Sequence, residues 1–146
     1  MKHFLLILTF LILCFPVFSQ SARERTRIAE EIRSVLLKQV SAWNRGDIQG
    51  FMRGYYNSEK LVFISGDNIT RGWSPTLKRY KRNYDSREKM GVLSFSDLEF
   101  TFLSRKAAVV IGSWSLERAN DRPHGKFSLV FRRFKKGWRI ILDHTS

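Results

Sequence analysis

At 146 residues, 43% hydrophobic and 27% charged, the chain suits one domain with a single core, which excludes disorder as its default state. Lys and Arg outnumber Asp and Glu by 26 to 13, a formal charge of +13 that favours anionic surfaces or ligands. The single cysteine, Cys14, excludes an internal disulfide and a multi-thiolate metal site.

The N-terminus has the layout of a secretion signal. Lys2 and His3 form a basic start, and Phe4 to Phe18 is nearly unbroken apolar sequence. Pro16 interrupts the end of that run, and Val17-Phe18-Ser19 supplies a cleavage site. A spanning helix needs about 20 apolar residues, more than this run provides. Residues 1–19 are therefore expected to be a cleavable signal peptide, 20–24 a linker and 25–146 a single domain, exported to the periplasm or secreted. Removal of the signal also removes Cys14, so the mature fold must rest on burial alone.

The positive charge survives this trimming. The cations are dispersed, with Arg23, Arg25, Arg27 and Arg33 early, Lys78 to Arg82 centrally and Arg132 to Lys136 late. Such a spread reads first as a solvated basic surface, with membrane contact at most peripheral. Export separates the chain from most cellular nucleic acid, so no nucleic-acid partner is expected.

Ile28, Ile32, Val35, Leu36, Gln39, Val40 and Trp43 recur at three- and four-residue steps, the stripe of an amphipathic helix. Asn44-Arg45-Gly46 ends it, and Asp47 is placed to cap a short helix with Ile48, Phe51, Met52 and Tyr55 on its apolar side. Leu61–Ser65 and Ile69–Gly72, joined by Gly66-Asp67-Asn68, read as a small hairpin. Ser74-Pro75 opens a further helix, serine as cap and proline in the first turn, with Leu77, Tyr80 and Tyr84 on one side.

Four long strands follow, Val92–Leu103, Ala107–Arg118, Lys126–Phe134 and Trp138–Thr145, separated by short turns as in an antiparallel meander. In the first, Leu93 and Phe95 are odd-numbered whereas Leu98, Phe100 and Phe102 are even. A bulge near Ser96-Asp97 reconciles the two phases and bends the sheet. Helices first and strands after, without βαβ alternation, make the class α+β.

Trp43-Asn44-Arg45-Gly46-Asp47 with Phe51-Met52 and Tyr55 resembles the first helix pair of the nuclear transport factor 2-like superfamily. The likeness continues through Gly72-Trp73 before a helix, then Gly137-Trp138-Arg139-Ile140 and Asp143-His144-Thr145-Ser146. It spans nearly the whole chain after the signal and is nearest to the SnoaL-like, ketosteroid-isomerase-like branch. The resemblance implies a cone, a strongly curved antiparallel sheet wrapped around about three helices with a pocket at its open end, and a homodimer formed through the sheet. It does not carry the isomerase chemistry. Those relatives use an aspartate base on the first strand, where this chain has Phe63 and Ile64, and Asp67 lies in the turn beyond.

Two polar neighbours near the C-terminus are the best catalytic candidates. His144 shares strand parity with Trp138, Ile140 and Leu142, an apolar series expected to face the cone interior. A histidine there is able to relay a proton near neutral pH; its plain alternative is a structural histidine near the rim. With the opposite facing, Asp143 enters instead. Trp43, Tyr55, Trp73, Tyr80, Tyr84 and Trp114 are candidates to line an apolar pocket, since tryptophan and tyrosine bring donors to an otherwise apolar wall. Phe63 and Phe131 read as core. Arg71 is a candidate cation for an anionic ligand. His124 and His144 lack ligand-spaced companions, so neither metal nor cofactor is expected.

These features support three functional readings. The first is an exported domain that binds a small hydrophobic or anionic molecule in an aromatic-lined pocket. The second is an enzyme on the same scaffold, with isomerase, dehydratase or cyclase-type acid/base chemistry at His144 or Asp143. The third is an envelope- or protein-interaction module that uses its basic surface.

Overall fold

The computed structural model describes residues 16–146. Residues 1–15, most of the expected signal, lie outside the described residues. No helix among the described residues is long and apolar enough to cross a membrane.

Helix α1 spans Pro16–Asn44. It runs unbroken through residues 20–24, where a linker was expected. Ala22, Arg23, Glu24 and Arg25 favour helix, and Arg27 pairs with Glu24 and Glu31 along the same face. The apolar stripe is the buried one, with Ile28, Ile32, Leu36, Gln39 and Trp43 each almost fully enclosed. Gly46, at φ +80°, turns the chain out of the helix. The Asp47 side chain then accepts the Gly50 N–H at 2.6 Å and caps α2 (Ile48–Met52).

Strands β1 (Val62–Ser65) and β2 (Asn68–Arg71) form the expected hairpin. Helix α3 (Trp73–Asn83) starts two residues earlier than a Ser74 cap implied. Its cap is Gly72, whose carbonyl accepts from both the backbone and the hydroxyl of Thr76, so Ser74 does not serve as the cap. A fourth helix, α4 (Arg87–Met90), is one turn capped by Ser86, too short to leave a periodic signal.

The last four strands, β3 (Val92–Ser104), β4 (Ala107–Glu117), β5 (His124–Phe134) and β6 (Gly137–Thr145), form the meander. The six-stranded sheet has the order β2-β1-β6-β5-β4-β3. It is mixed rather than wholly antiparallel, because β1 pairs with β6 in parallel, with Phe63 beside Asp143 and Ser65 beside Thr145. The chain between these two strands contains most of the domain, so no tight hairpin constrains their relative direction.

Bulges bend the sheet. The one anticipated in β3 lies between Ser96 and Glu99, with Asp97 at φ +52°. A second falls in β6, where Val130 and Phe131 pair with Leu142 and Ile140 and leave Ile141 as the extra residue. One face of the sheet, carrying Ala108, Val110, Leu129, Phe131, Trp138 and Ile140, is buried with α1 and α2 in a single core.

Candidate functional site

The bulge at Ile141 decides which side chains of β6 face the core. Before it, Trp138 and Ile140 point inward; after it the phase reverses, so Asp143 and Thr145 point inward and His144 outward. The expected inward facing of His144 is therefore incorrect. Parity with Leu142 holds only for a regular strand, and the extra residue breaks it. Asp143 is only 4% exposed, whereas His144 lies on the open outer face.

Asp143 sits in a tyrosine cluster. The chain after α2 forms a parallel bridge to β6, with Tyr56 N–H donating to the Ile140 carbonyl and Ile140 N–H to Gly54. That bridge sets Tyr55 beside β6, where its hydroxyl donates to Asp143 Oδ2 at 2.6 Å. The Tyr80 hydroxyl from α3 lies 3.3 Å from that of Tyr55. Asp143 Oδ1 is buried and has no hydrogen-bond partner among the described residues.

Burial pushes the Asp143 carboxyl up to about 7, while the Tyr55 hydrogen bond and the Arg79 charge pull the other way. Burial, then the negative charge of Asp143, hold both the Tyr55 and Tyr80 phenols well above their usual range. Both remain neutral donors at physiological pH.

This cluster forms part of the wall of a cavity of about 230 Å³ that also includes Ser65, Arg79, Asn83 and Thr145. Aromatic rings supply most of its enclosure. Trp43 meets Phe51 at 5.1 Å and Tyr84 at 4.7 Å in edge contacts, and Tyr80 meets Phe51 at 5.2 Å and Phe63 at 5.5 Å. Arg79 lies over the Phe63 ring at 5.0 Å. Trp114 is also part of the wall, its indole N–H donating to the Ser146 carbonyl at 3.0 Å. Gly125 permits that approach, since a Cβ there would overlap the same carbonyl.

Of the residues singled out from sequence, Trp43, Tyr55, Tyr80, Tyr84, Trp114 and Asp143 converge on this cavity. Trp73 and Arg71 do not line it. Trp73 is half-buried and donates to the Met52 carbonyl at 2.9 Å, and Arg71 is exposed at the end of edge strand β2. Phe63, read as core, is both core and wall, while Phe131 is core alone. Sequence reasoning missed Gln39, Ser65, Arg79, Asn83 and Thr145 as wall residues. Thr76, Tyr80 and Asn83 follow one another at helical spacing, a signal able to place Asn83 near Tyr80. Among the described residues, no group of three or more His, Cys, Asp or Glu is arranged to hold a metal.

The chain is similar to a solved NTF2-like protein of unknown function from Shewanella oneidensis MR-1, at 40% identity and a TM-score of 0.78. That match covers 81% of this chain and 98% of the other. The chain belongs to the nuclear transport factor 2-like superfamily. At lower identity the likeness concerns the fold alone. A superfamily member from Salmonella enterica serovar Typhimurium LT2 is 21% identical, with a TM-score of 0.64 and 84% and 92% of the two chains covered. An NTF2-like protein of unknown function from Pseudomonas putida KT2440 is 18% identical, with a TM-score of 0.66 and coverage of 86% and 87%. No family model and no curated protein matches the chain.

Proposed function

We propose that this domain is an exported small-molecule-binding protein, with the aromatic cavity as its binding site and Asp143 as its polar anchor. The observation that carries the reading is Asp143 Oδ1, a buried polar atom on the wall of an aromatic cavity without a hydrogen-bond partner among the described residues. Leaving such an atom unsatisfied costs about 1–3 kcal/mol, a cost that a ligand hydrogen bond removes. Export is supported by the basic start and apolar run before Ser19. A homodimer through the outer face of the sheet is part of the same reading, with Ile111 exposed on that face.

Ligand-observed NMR against a library of single-ring compounds tests the binding reading. The full chain is expected to bind members of the library, and Ser65→Phe, which fills the cavity, to lose them. Equal binding by the filled variant would move the ligand elsewhere.

One observation favours acid/base catalysis as a second reading. A carboxyl held near 7 exchanges its proton readily at physiological pH, the property required of a general acid or base. On this reading Asp143, not His144, carries the chemistry, and turnover depends on Asp143 alone of the two. The basic-surface module remains a third use of the same domain, supported by the excess of cations over anions.

A further inference from the structure

Arg79 has no carboxylate within ion-pair distance among the described residues, although eight such pairs occur elsewhere in the chain. Its guanidinium is half-buried, packed on Phe63 and part of the cavity wall. Its side chain donates no hydrogen bond to a described residue, although a guanidinium carries five N–H donors. A half-buried cation held on an aromatic ring with its donors free is prepared for an anion from outside the chain.

We propose that the cavity takes a small organic carboxylate with a single-ring apolar body, the carboxylate oxygens meeting Arg79 and the ring lying among Trp43, Tyr80 and Tyr84. The inference rests on the small-molecule reading above and names the chemical class for that site. Its size follows from the volume. An apolar cavity of about 150 Å³ accommodates benzene, so about 230 Å³ holds one substituted ring.

A cationic ligand is the competing choice, because aromatic rings and a carboxylate also attract ammonium groups. Arg79 decides against it. A second cation in the same cavity meets that fixed charge, while Asp143 is already engaged by Tyr55 and held back from ionising by burial.

The carboxylate and Asp143 are coupled. The titratable and charged groups facing Asp143 are Tyr55 after α2, Arg79 and Tyr80 from α3, and Tyr84 just past its end. Its strand neighbours, Phe63 on β1 and Leu129 on β5, are apolar, and Gln39 of α1 is neutral. Both phenols of the cluster stay protonated, so a negative charge brought into the cavity is balanced by Arg79 and by a proton on Asp143. Oδ2 already accepts from Tyr55, so the proton resides on Oδ1. Carboxylate binding therefore takes up one proton from solvent wherever Asp143 is ionised beforehand, and affinity falls as pH rises through the neutral range.

Calorimetric titration of the full chain with benzoate, benzyl alcohol and benzylamine tests this at pH 6 and pH 8. Benzoate is expected to bind most tightly, about tenfold better at pH 6 than at pH 8, with proton uptake at pH 8 read from buffers of different ionisation enthalpy. Arg79→Gln is expected to weaken benzoate by about tenfold or more beyond any loss of benzyl alcohol, with Arg79→Lys between Arg79→Gln and the unmutated chain. Preference for benzylamine, pH-independent benzoate binding, or benzoate affinity unchanged in both Arg79 variants would overturn the carboxylate assignment while leaving the pocket reading intact. Failure of all three probes to bind would instead remove the pocket reading and this inference with it. The pH dependence of the unmutated chain decides the matter if Arg79→Gln fails to fold.

Discussion

Replacing Asp143 by Asn separates the cost of the buried charge from the rest of the cluster. In the unfolded chain this carboxyl titrates near 3.8; in the fold, burial raises it to about 7. Below about pH 4 it is protonated in both states and imposes no penalty. As pH rises, the unfolded chain ionises first while the fold retains its proton, so stability falls across the interval up to about 7 and the full loss is reached above it. A shift of roughly three units corresponds to about 4 kcal/mol. Asn is neutral throughout, and its amide oxygen still accepts from Tyr55. Asp143→Asn is thus expected to exceed the unmutated chain by about 2–4 kcal/mol at pH 8 and to approach it near pH 4. The exposed carboxyls Asp85, Glu88 and Asp97 are shifted downward and act in the opposite sense, but they are common to both proteins and cancel in the difference. Urea denaturation at intervals from pH 4 to pH 8 measures it. A difference that stays constant across that range would refute the assignment of Asp143 as a buried carboxyl titrating near neutrality.

Tyr55→Phe removes the donor to Asp143 Oδ2 and should destabilise the fold by about 1–3 kcal/mol, while raising the carboxyl titration further, as read by carbon NMR. His144→Ala, on the outer face, should change stability by about 0.5 kcal/mol or less and leave probe binding untouched. Trp43→Ala opens the aromatic wall at a nearly enclosed position, and a loss of about 3–5 kcal/mol in the same denaturation assay is expected. For the proposed dimer, Ile111→Lys should convert a dimeric sedimentation mass to a monomeric one; an unmutated chain that already sediments as a monomer would rule the dimer out.

Most of the fold was legible because its signals are periodic. The α1 stripe, the Asp47 cap and the β3 phase change each declare themselves within a few residues, and each is found where its pattern put it. Three features were not legible for physical reasons. The parallel pairing of β1 with β6 joins residues 80 positions apart and leaves no local trace. Gly72, rather than Ser74, caps α3 because its carbonyl is positioned by the preceding strand, not by sequence preference. The Ile141 bulge lies inside a continuous apolar run, Ile140 to Leu142, where either phase looks hydrophobic. That last ambiguity determined which of Asp143 and His144 entered the cavity. Aromatic wall residues were easier to find, since large rings need burial wherever they fall. Arg79 was missed because charged residues on a helix are ordinarily solvated.

A crystal structure of the protein purified from its own host, inspected at the cavity, tests the central claim most directly. Density for a small organic molecule packed on Trp43 and Tyr80, with a polar atom within hydrogen-bonding distance of Asp143 Oδ1, is the predicted result. Side chains collapsed into the cavity, with Asp143 Oδ1 satisfied by a protein donor, would contradict it.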